Sequence, residues 1–234
     1  MKKGRLFLIP TPLGDYSPEL VLPRPVMETI ASVSLYFVEE VRTARRFLSA
    51  AGLKGHIDGI EFHEINEHST SEQIAVLGRM LGERDAALVS EAGLPAVADP
   101  GAQLVSLAHS MGVEVIPMVG PSSLMMALMS SGLNGQCFAF AGYLPVKQDA
   151  RKGAVAELER TSARLSQSQI IIETPYRNDS LLADLLAVLR PSTRLCIAAD
   201  ITLPTQFIRT MPVSGWKKSI PTIGKRPCVF IFLA

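Results

Sequence analysis

Hydrophobic and polar positions in the first half of the chain alternate between two patterns. Short β-prone runs predict strands at "RLFLI", "LYFVE", "IEF", "AALVS" and "VEVIP". Apolar residues at i, i+3 and i+4 predict helices between them, at "PVMETIASV", "TARRFLSAAG", "SEQIAVLGRMLGE" and "GAQLVSLAHSMG". Strands that alternate with helices are typical of βα units on a largely parallel sheet.

Residues at the predicted helix ends agree with this pattern. Thr70 followed by Gln73 forms a capping-box sequence before the third helix. Gly52 and Gly112 follow periodic segments, where a left-handed residue commonly ends a helix.

The alternation starts again after "MVGPSS" and continues to the predicted strand "RLCIAAD". The tail changes character, because "QFIRTMPVS" and "PCVFIFLA" indicate two strands with no convincing helix between them. We expect these two strands to form an antiparallel hairpin that closes the second sheet. The sequence therefore predicts two α/β domains, 1–118 with a largely parallel sheet and 119–234 with a mixed sheet.

Composition narrows the class of protein. The chain has 234 residues, of which 47% are hydrophobic and 19% charged, so it is globular. A net charge of +1 gives no electrostatic reason for tight non-specific binding to nucleic acid. Cys137, Cys196 and Cys228 are widely spaced in apolar runs, which favours buried free thiols in a reducing compartment.

The first residues, "MKKGRLFLIPTPLG", have too short an apolar stretch for a signal peptide. No apolar segment approaches the roughly 20 residues of a membrane span. We therefore expect a cytoplasmic protein with no membrane partner.

Several common catalytic and nucleotide motifs are missing from the sequence. No G-x-G-x-x-G follows a strand, and no P-loop sequence occurs. "HEINEH", His63 to His68, has one residue too many for a zincin motif, so we expect no metal site. Ser90 does not lie in a nucleophile elbow.

Five loops follow predicted strands and carry glycine, proline or charged residues. They are "PTPLGD" (10–15), "EEVR" (39–42), "EAGLPAVADPG" (91–101), "GPSS" (120–123) and "ETPYR" (173–177). Since the carboxyl ends of parallel strands share one edge of a sheet, we expect all five around a single ligand site.

The central loop is the most specific of these signals. "LVSEAGLPAVADPG" resembles "LVSDAGTPLISDPG" of the class III (tetrapyrrole methylase) family of S-adenosylmethionine-dependent methyltransferases. The likeness is greatest to the branch that methylates a ribose 2′-hydroxyl of small-subunit ribosomal RNA. That branch has "TPIGN", "EDTR", "HEHNE", "GPSA", "GFLPRK" and "FYESPHR" where this chain has "TPLGD", "EEVR", "HEINE", "GPSS", "GYLPVK" and "IIETPYR". The resemblance covers residues 5 to 233.

The resemblance implies a homodimer that binds S-adenosyl-L-methionine in a cleft between its two α/β domains. The matching positions give the expected cofactor-binding residues, Pro12, Ala92, Gly93, Leu94, Val97, Ser122 and Ser123. Small residues let a loop backbone approach a ligand closely, and the serines begin a helix whose free N–H groups suit a polar or anionic group.

Two acids and two arginines are the candidates on the substrate side. Glu40 and Glu173 follow predicted strands, and either is a candidate general base for a ribose hydroxyl. Arg42 and Arg177 are candidates for binding a phosphate or a carboxylate. Each Glu–Arg pair is alternatively a local surface pair.

Three functions remain open from the sequence. The first is methylation of ribosomal RNA, with that RNA or the small ribosomal subunit as partner. The second is methylation of a small tetrapyrrole-like molecule, which suits the near-neutral charge. The third is cofactor binding without catalysis, suggested by Val41 and Leu94 where the ribosomal branch has threonine.

Overall fold

The computed structural model describes residues 4–66 and 69–234. The chain divides into two compact units, Met1–Ser122 and Ser123–Ala234. Each unit contains a five-stranded sheet. The boundary predicted from the sequence, between residues 118 and 119, lies just before this division.

The first unit is built from βα segments on a parallel sheet. Its strands are β1 (Arg5–Ile9), β2 (Leu35–Val38), β3 (Glu61–Glu64), β4 (Ala86–Val89) and β5 (Glu114–Pro117), and its helices are α1 (Arg24–Ser32), α2 (Val41–Leu48), α3 (Ser71–Leu81) and α4 (Ala102–Ser110). The strand order is β3-β2-β4-β1-β5, and every pairing is parallel. The predicted parallel sheet is confirmed.

Two apolar clusters cover the two faces of this sheet. All four residues of β2 and all four of β4 are buried, as expected for central strands with both faces covered. Tyr36 and Val38 pack in one cluster, while Leu35 and Phe37 pack in the other, because side chains alternate along a strand. The buried Tyr36 hydroxyl donates to the Ile30 carbonyl at 2.8 Å.

The predicted helix ends are also confirmed. The Thr70 hydroxyl accepts from the Gln73 N–H, and the Gln73 side chain accepts from the Thr70 N–H. Gly52 and Gly112 have φ angles of 97° and 66°, the left-handed region that glycine adopts without steric cost.

The second unit has a mixed sheet, as the sequence predicts. Its strands are β6 (Phe138–Tyr143), β7 (Ser168–Ile172), β8 (Arg194–Ala199), β9 (Phe207–Pro212) and β10 (Cys228–Leu233), and its helices are α5 (Ser123–Ser131), α6 (Gln148–Leu165), α7 (Asn178–Val188) and the single turn α8 (Val213–Trp216). The order is β6-β7-β10-β8-β9. The β6–β7 pair is parallel, and the other pairs are antiparallel.

The predicted hairpin of the last two strands is wrong. β9 pairs with β8 at the edge of the sheet, and β10 lies between β7 and β8. The first five residues of β10 are buried, and a strand that is apolar on both faces belongs in the middle of a sheet. The α8 turn follows β9 and buries Trp216, whose indole N–H donates to the Leu195 carbonyl at 2.8 Å.

The three cysteines are free thiols. Cys196 and Cys228 are buried, as expected, whereas Cys137 is partly exposed. Burial raises the pKa of the Cys228 thiol to about 12. Within residues 4–66 and 69–234, no helix has both the length and the apolar character needed to cross a membrane.

Candidate active site

Four of the five predicted loops lie at one edge of the parallel sheet. They follow β1, β2, β4 and β5, whose carboxyl ends share that edge. The fifth loop, 173–177, follows β7 and belongs to the second sheet. The expectation of one edge for all five loops is therefore wrong, because loop 173–177 follows a strand of the second sheet and has no place at the edge of the first.

An antiparallel bridge joins the loop after β1 to the loop after β4. The Thr11 N–H donates to the Gly93 carbonyl at 2.9 Å, and the Gly93 N–H donates to the Thr11 carbonyl at 3.2 Å. The Ser90 hydroxyl donates to the same Gly93 carbonyl at 3.3 Å, and the Thr11 hydroxyl donates to the Ser90 carbonyl at 3.4 Å. Ser90 therefore supports the loop backbone.

The loop after β4 repeatedly enters the left-handed region. Gly93 and Gly101 have φ angles of 82° and 115°, and Ala96 and Ala98 have 62° and 63°. Each alanine in this conformation costs of order 1–3 kcal/mol, and such strain concentrates at functional loops. A Cβ at Gly93 would lie 3.2 Å from Leu13 Cδ2, so the loop after β1 also limits the side chain at this position.

A pocket of about 260 Å³ opens beside this bridge within the first unit. It is lined by Thr11, Pro12, Leu13, Gly14, Asp15, Tyr16, Pro18, Thr43, Arg46, Phe47, Ala50, Glu91 and Ala92. The lining combines one guanidinium with the carboxylates of Asp15 and Glu91. The Leu13 N–H donates to the Tyr16 hydroxyl at 3.2 Å, which folds the loop after β1 on itself.

The structure brings some of the predicted cofactor residues together. Pro12 and Ala92 both line the pocket. Gly93 lies in the bridge beside it, and Leu94 and Val97 lie further along the same loop, with Val97 43% exposed. Ser122 is the last residue of the first unit, and Ser123 begins α5.

Gly120 explains part of the "GPSS" sequence. A Cβ at Gly120 would lie 2.2 Å from Pro10 Cγ. Only glycine permits this close approach, which packs the segment after β5 against the end of β1.

Glu40 is the N-cap of α2. Its carboxylate accepts from the Arg42 N–H at 2.9 Å, the Thr43 N–H at 2.7 Å and the Thr43 hydroxyl at 2.5 Å. The hydrogen bond from the Thr43 hydroxyl, the two N–H groups and the Arg42 charge lower the pKa of the Glu40 carboxyl. The Glu40 carboxylate therefore contacts Arg42 through the Arg42 backbone N–H, and the Arg42 side chain is exposed.

Glu173 is buried, with a side chain that is 0% exposed. Its Oε1 accepts from Arg177 Nη2 at 2.6 Å, Arg177 Nε at 3.0 Å and the Thr174 N–H at 2.7 Å. Its Oε2 is buried and has no hydrogen-bond partner in the described part of the chain. The Glu173–Arg177 ion pair is therefore formed through Oε1 alone, and Oε2 takes no part in it.

Asp99 is a chemically distinctive residue that the sequence did not single out for catalysis. Burial, together with the nearby charges of Glu39 and Glu91, raises the pKa of its carboxyl to about 7, although a hydrogen bond with Ser90 lowers it. Glu91 and Asp99 share the loop after β4, and the pairing of β2 with β4 brings Glu39 close to them. Asp99 does not cap the following helix, because the N-cap of α4 is Gly101, with no side-chain cap.

The first two residues of the histidine motif lie on a strand. His63 belongs to β3, and its Nε2 is 2.8 Å from Glu61 Oε1. Glu67 and His68 of "HEINEH" lie outside the described residues. Among the residues that the structure does describe, no group of His, Cys, Asp and Glu is arranged to hold a metal ion.

Comparison with solved structures identifies the fold. The methyltransferase CobJ superposes with a TM-score of 0.63 at 16% identity, covering 98% of this chain and 94% of that one. Uroporphyrin-III C-methyltransferase from Thermus thermophilus, complexed with S-adenyl homocysteine, has a TM-score of 0.57 at 18% identity, covering 98% and 97%. The two sheets thus form the fold of the class III, or tetrapyrrole, methylases.

Sequence relatives narrow this class. No protein-family model matches the chain. Ribosomal RNA small subunit methyltransferase I of Vibrio cholerae is 31% identical over 209 residues, 89% of this chain and 69% of the relative. The protein of that name from Pseudomonas aeruginosa is 29% identical, over 99% of this chain and 79% of the relative. The chain belongs to the ribosomal RNA small subunit methyltransferase I family and is an S-adenosylmethionine-dependent methyltransferase.

The donor set of the first unit fits this cofactor. S-adenosylmethionine carries an ammonium, a carboxylate and a cationic sulfonium. Arg46 suits the carboxylate, and the acids Asp15 and Glu91 suit the cationic groups. These residues would hold the cofactor's charged groups, while the Thr11–Gly93 bridge keeps the backbone beside them in place.

Replacement of Gly93 by valine is expected to weaken cofactor binding at least about tenfold, roughly 1.4 kcal/mol. The positive φ disfavours any L side chain, and the added Cβ would lie against Leu13. Isothermal titration with S-adenosylmethionine on folded protein measures the change. Gly59→Val is the matched control, since a Cβ at Gly59 meets open space. Equal affinity for both variants would place the cofactor away from this loop.

Asp99→Asn is expected to stabilise the protein increasingly as pH rises. The pKa of Asp99 is higher in the folded chain than in the unfolded chain, so its protonated form favours folding. That contribution is complete below about pH 4 and is lost as pH rises towards about 7. The gain at pH 8 should be about 1–2 kcal/mol, because solvent screens a half-buried carboxyl.

Urea unfolding between pH 4.5 and pH 8.5 measures this difference. The exposed Glu83→Gln variant is the control and should follow the parent protein at every pH. A constant offset between Asp99→Asn and the parent across the range would contradict the elevated pKa.

Proposed function

We propose that this protein transfers a methyl group from S-adenosylmethionine to a ribose 2′-hydroxyl of small-subunit ribosomal RNA. The observation that carries the proposal is the 31% identity to a ribosomal RNA small subunit methyltransferase I across 89% of the chain. The strand-end sequences resemble the same branch at "TPLGD", "EEVR", "GPSS" and "ETPYR". A ribosomal substrate also implies a cytoplasmic protein.

The proposed cofactor-binding residues are Pro12, Ala92, Gly93, Leu94, Val97, Ser122 and Ser123. Support comes from the pocket that Pro12 and Ala92 line, and from the conformation of Gly93 beside it. The small Ala92 leaves the loop backbone accessible to a ligand.

Bound S-adenosylmethionine supplies an electrophilic methyl group on a cationic sulfur. The protein must then position the ribose hydroxyl in line and accept its proton. Alignment alone supplies roughly 7–11 kcal/mol in favourable cases, and a carboxylate beside the hydroxyl adds general-base assistance.

We propose Glu173 as this carboxylate, ahead of Glu40. Glu173 retains an oxygen without a partner, Oε2, whereas both oxygens of Glu40 accept hydrogen bonds at the start of α2. The lowered pKa of Glu40 makes it a weaker base. Arg42, with its exposed side chain, is proposed to bind a phosphate of the substrate, and Arg177 to orient Glu173 and contact the substrate.

We further propose that the protein acts as a homodimer. The second unit exposes several large apolar side chains along its edge strand β6 and just after it, namely Phe138, Phe140, Tyr143 and Val146. Clustered apolar residues on a surface are typical of interfaces. Light scattering at micromolar concentration should give twice the mass of the chain, and the mass of a single chain would contradict this proposal.

Methyl transfer tests the function directly. The protein is incubated with tritiated S-adenosylmethionine and small ribosomal subunits from a strain that lacks the corresponding modification. We expect label in the ribosomal RNA, recovered as a 2′-O-methylated nucleoside. An unlabelled RNA, under conditions where a known enzyme of the family labels it, would overturn the proposal. Label in a tetrapyrrole acceptor instead would support the small-molecule alternative.

Glutamine variants separate the two candidate acids. Glu173→Gln is expected to lower kcat about 10²-fold and to leave cofactor affinity within about twofold, because only the developing charge on the acceptor oxygen needs the carboxylate. Glu40→Gln keeps one acceptor for the helix N–H groups and should lower kcat less than tenfold. Circular dichroism controls for folding. The reverse order of effects would make Glu40 the catalytic acid.

A further inference from the structure

Tyr176 is an exposed aromatic residue on the loop after β7. It lies in a one-turn 3₁₀ helix, Pro175–Arg177, and 79% of its surface is accessible. A phenol ring of this size normally packs against the protein with only its hydroxyl in water. Its exposure leaves much of the ring accessible to another molecule.

The two residues that follow the turn, Asn178 and Asp179, hold it against the segment 223–226. Asn178 is fully buried, and its Nδ2 donates to the Gly224 carbonyl at 3.2 Å and the Arg226 carbonyl at 2.7 Å. The Asp179 carboxylate accepts from the Ile223 N–H at 2.8 Å and the Gly224 N–H at 3.1 Å. The turn and the 223–226 segment are therefore held together, and Tyr176 is presented on a fixed support.

Lys225 provides a cation beside the ring. Its Nζ lies 4.8 Å from the centre of the Tyr176 ring, within the range of a cation–π contact. This contact sets the orientation of an otherwise exposed side chain. Lys225 belongs to the same 223–226 segment, so the anchoring of that segment also positions the ammonium.

An arginine follows each member of this pair in the sequence. Arg177 and Arg226 each keep 31% of their side chains exposed while they bind Glu173 and Asp200. Two of the three cations of this surface are thus paired with carboxylates, and Lys225 is the cation that lies against the aromatic ring. The arrangement favours an anionic partner that also has a flat apolar face.

Unpaired nucleotides have this combination of properties. Proteins bind single-stranded RNA by stacking its bases on aromatic side chains and by pairing its phosphates with Lys and Arg. Bases within a duplex are already stacked on each other, so they cannot use an exposed ring in this way. A protein partner would offer a less regular array of negative charge.

We propose that Tyr176 and Lys225 form a stacking site for an unpaired base of the RNA substrate, with Lys225 and Arg177 binding the adjacent phosphates. This inference rests on the proposed function, because it assigns the surface to the same RNA. It adds a recognition element on the loop that also carries Glu173.

RNA binding by surface variants tests the site. Fluorescence anisotropy is measured with a labelled single-stranded RNA of about ten nucleotides, a length in the range of such binding sites, and with the same sequence as a duplex. Tyr176→Ala should raise the Kd for the single strand about tenfold, whereas Tyr176→Phe should stay within about twofold because it keeps the ring. Duplex binding should not change.

Charge variants test the lysine. Lys225→Gln should weaken single-strand binding. It should also reduce the slope of log Kd against log salt by about one, as expected for the loss of one phosphate contact. Lys218→Gln is the matched control, since Lys218 is exposed in the same unit. A Lys218 effect equal to that of Lys225 would reduce the site to general charge attraction and overturn the proposal.

Methyl transfer to small subunits, run on the same variants, separates the two proposals. Tyr176→Ala should raise KM about tenfold and leave kcat within about twofold. If the parent protein labels the RNA but Tyr176→Ala matches it in both Kd and KM, the stacking site is wrong and the proposed function stands. If the parent protein labels no RNA, the proposed function fails. An equal loss for Tyr176→Ala and Tyr176→Phe would assign the effect to the hydroxyl and overturn stacking.

Discussion

The hydrogen-bonded bridge between Thr11 and Gly93 is the constraint on which the first unit's site depends. β1 and β4 are adjacent strands at the centre of the parallel sheet, and the bridge continues their association beyond the sheet edge as a short antiparallel contact. Such a reversal is possible because Gly93 adopts a positive φ. The loop backbone, rather than long side chains, therefore shapes the wall of the pocket, which is why this stretch is rich in alanine, glycine and proline.

Two acids at neighbouring strand ends differ in their affinity for protons. Glu40 accepts hydrogen bonds at the positive end of α2, and its pKa is lowered, whereas Asp99 is partly buried near other carboxylates, and its pKa is raised to about 7. A fold that separates the pKa values of its acids in this way assigns them different roles. The lowered pKa of Glu40 keeps this cap of α2 charged, and the raised pKa of Asp99 lies near neutral pH.

Local sequence patterns predicted the features of the fold that depend on residues close together in the chain. The alternation of strands and helices, the mixed and parallel sheets and the Thr70–Gln73 cap all follow from short-range periodicity and hydrogen bonding. The pairing of β10 could not be predicted in this way. An apolar strand pattern indicates that a strand has neighbours on both sides, but it does not indicate which strands these are. The Tyr176–Lys225 contact and the approach of Glu39 to Asp99 were missed for the same reason: the fold brings these residues together from distant parts of the chain.

The position of β10 has a consequence for synthesis of the protein. A growing chain contains all five strands of the first sheet by residue 117, long before the second sheet has its full set. β10 separates β7 from β8, so a nascent or prematurely terminated chain that lacks residues 228–233 leaves both strands with an unpaired edge. Exposed edges of this kind pair readily with other chains. Truncated products are therefore candidates for aggregation and proteolytic clearance even though their first unit is complete.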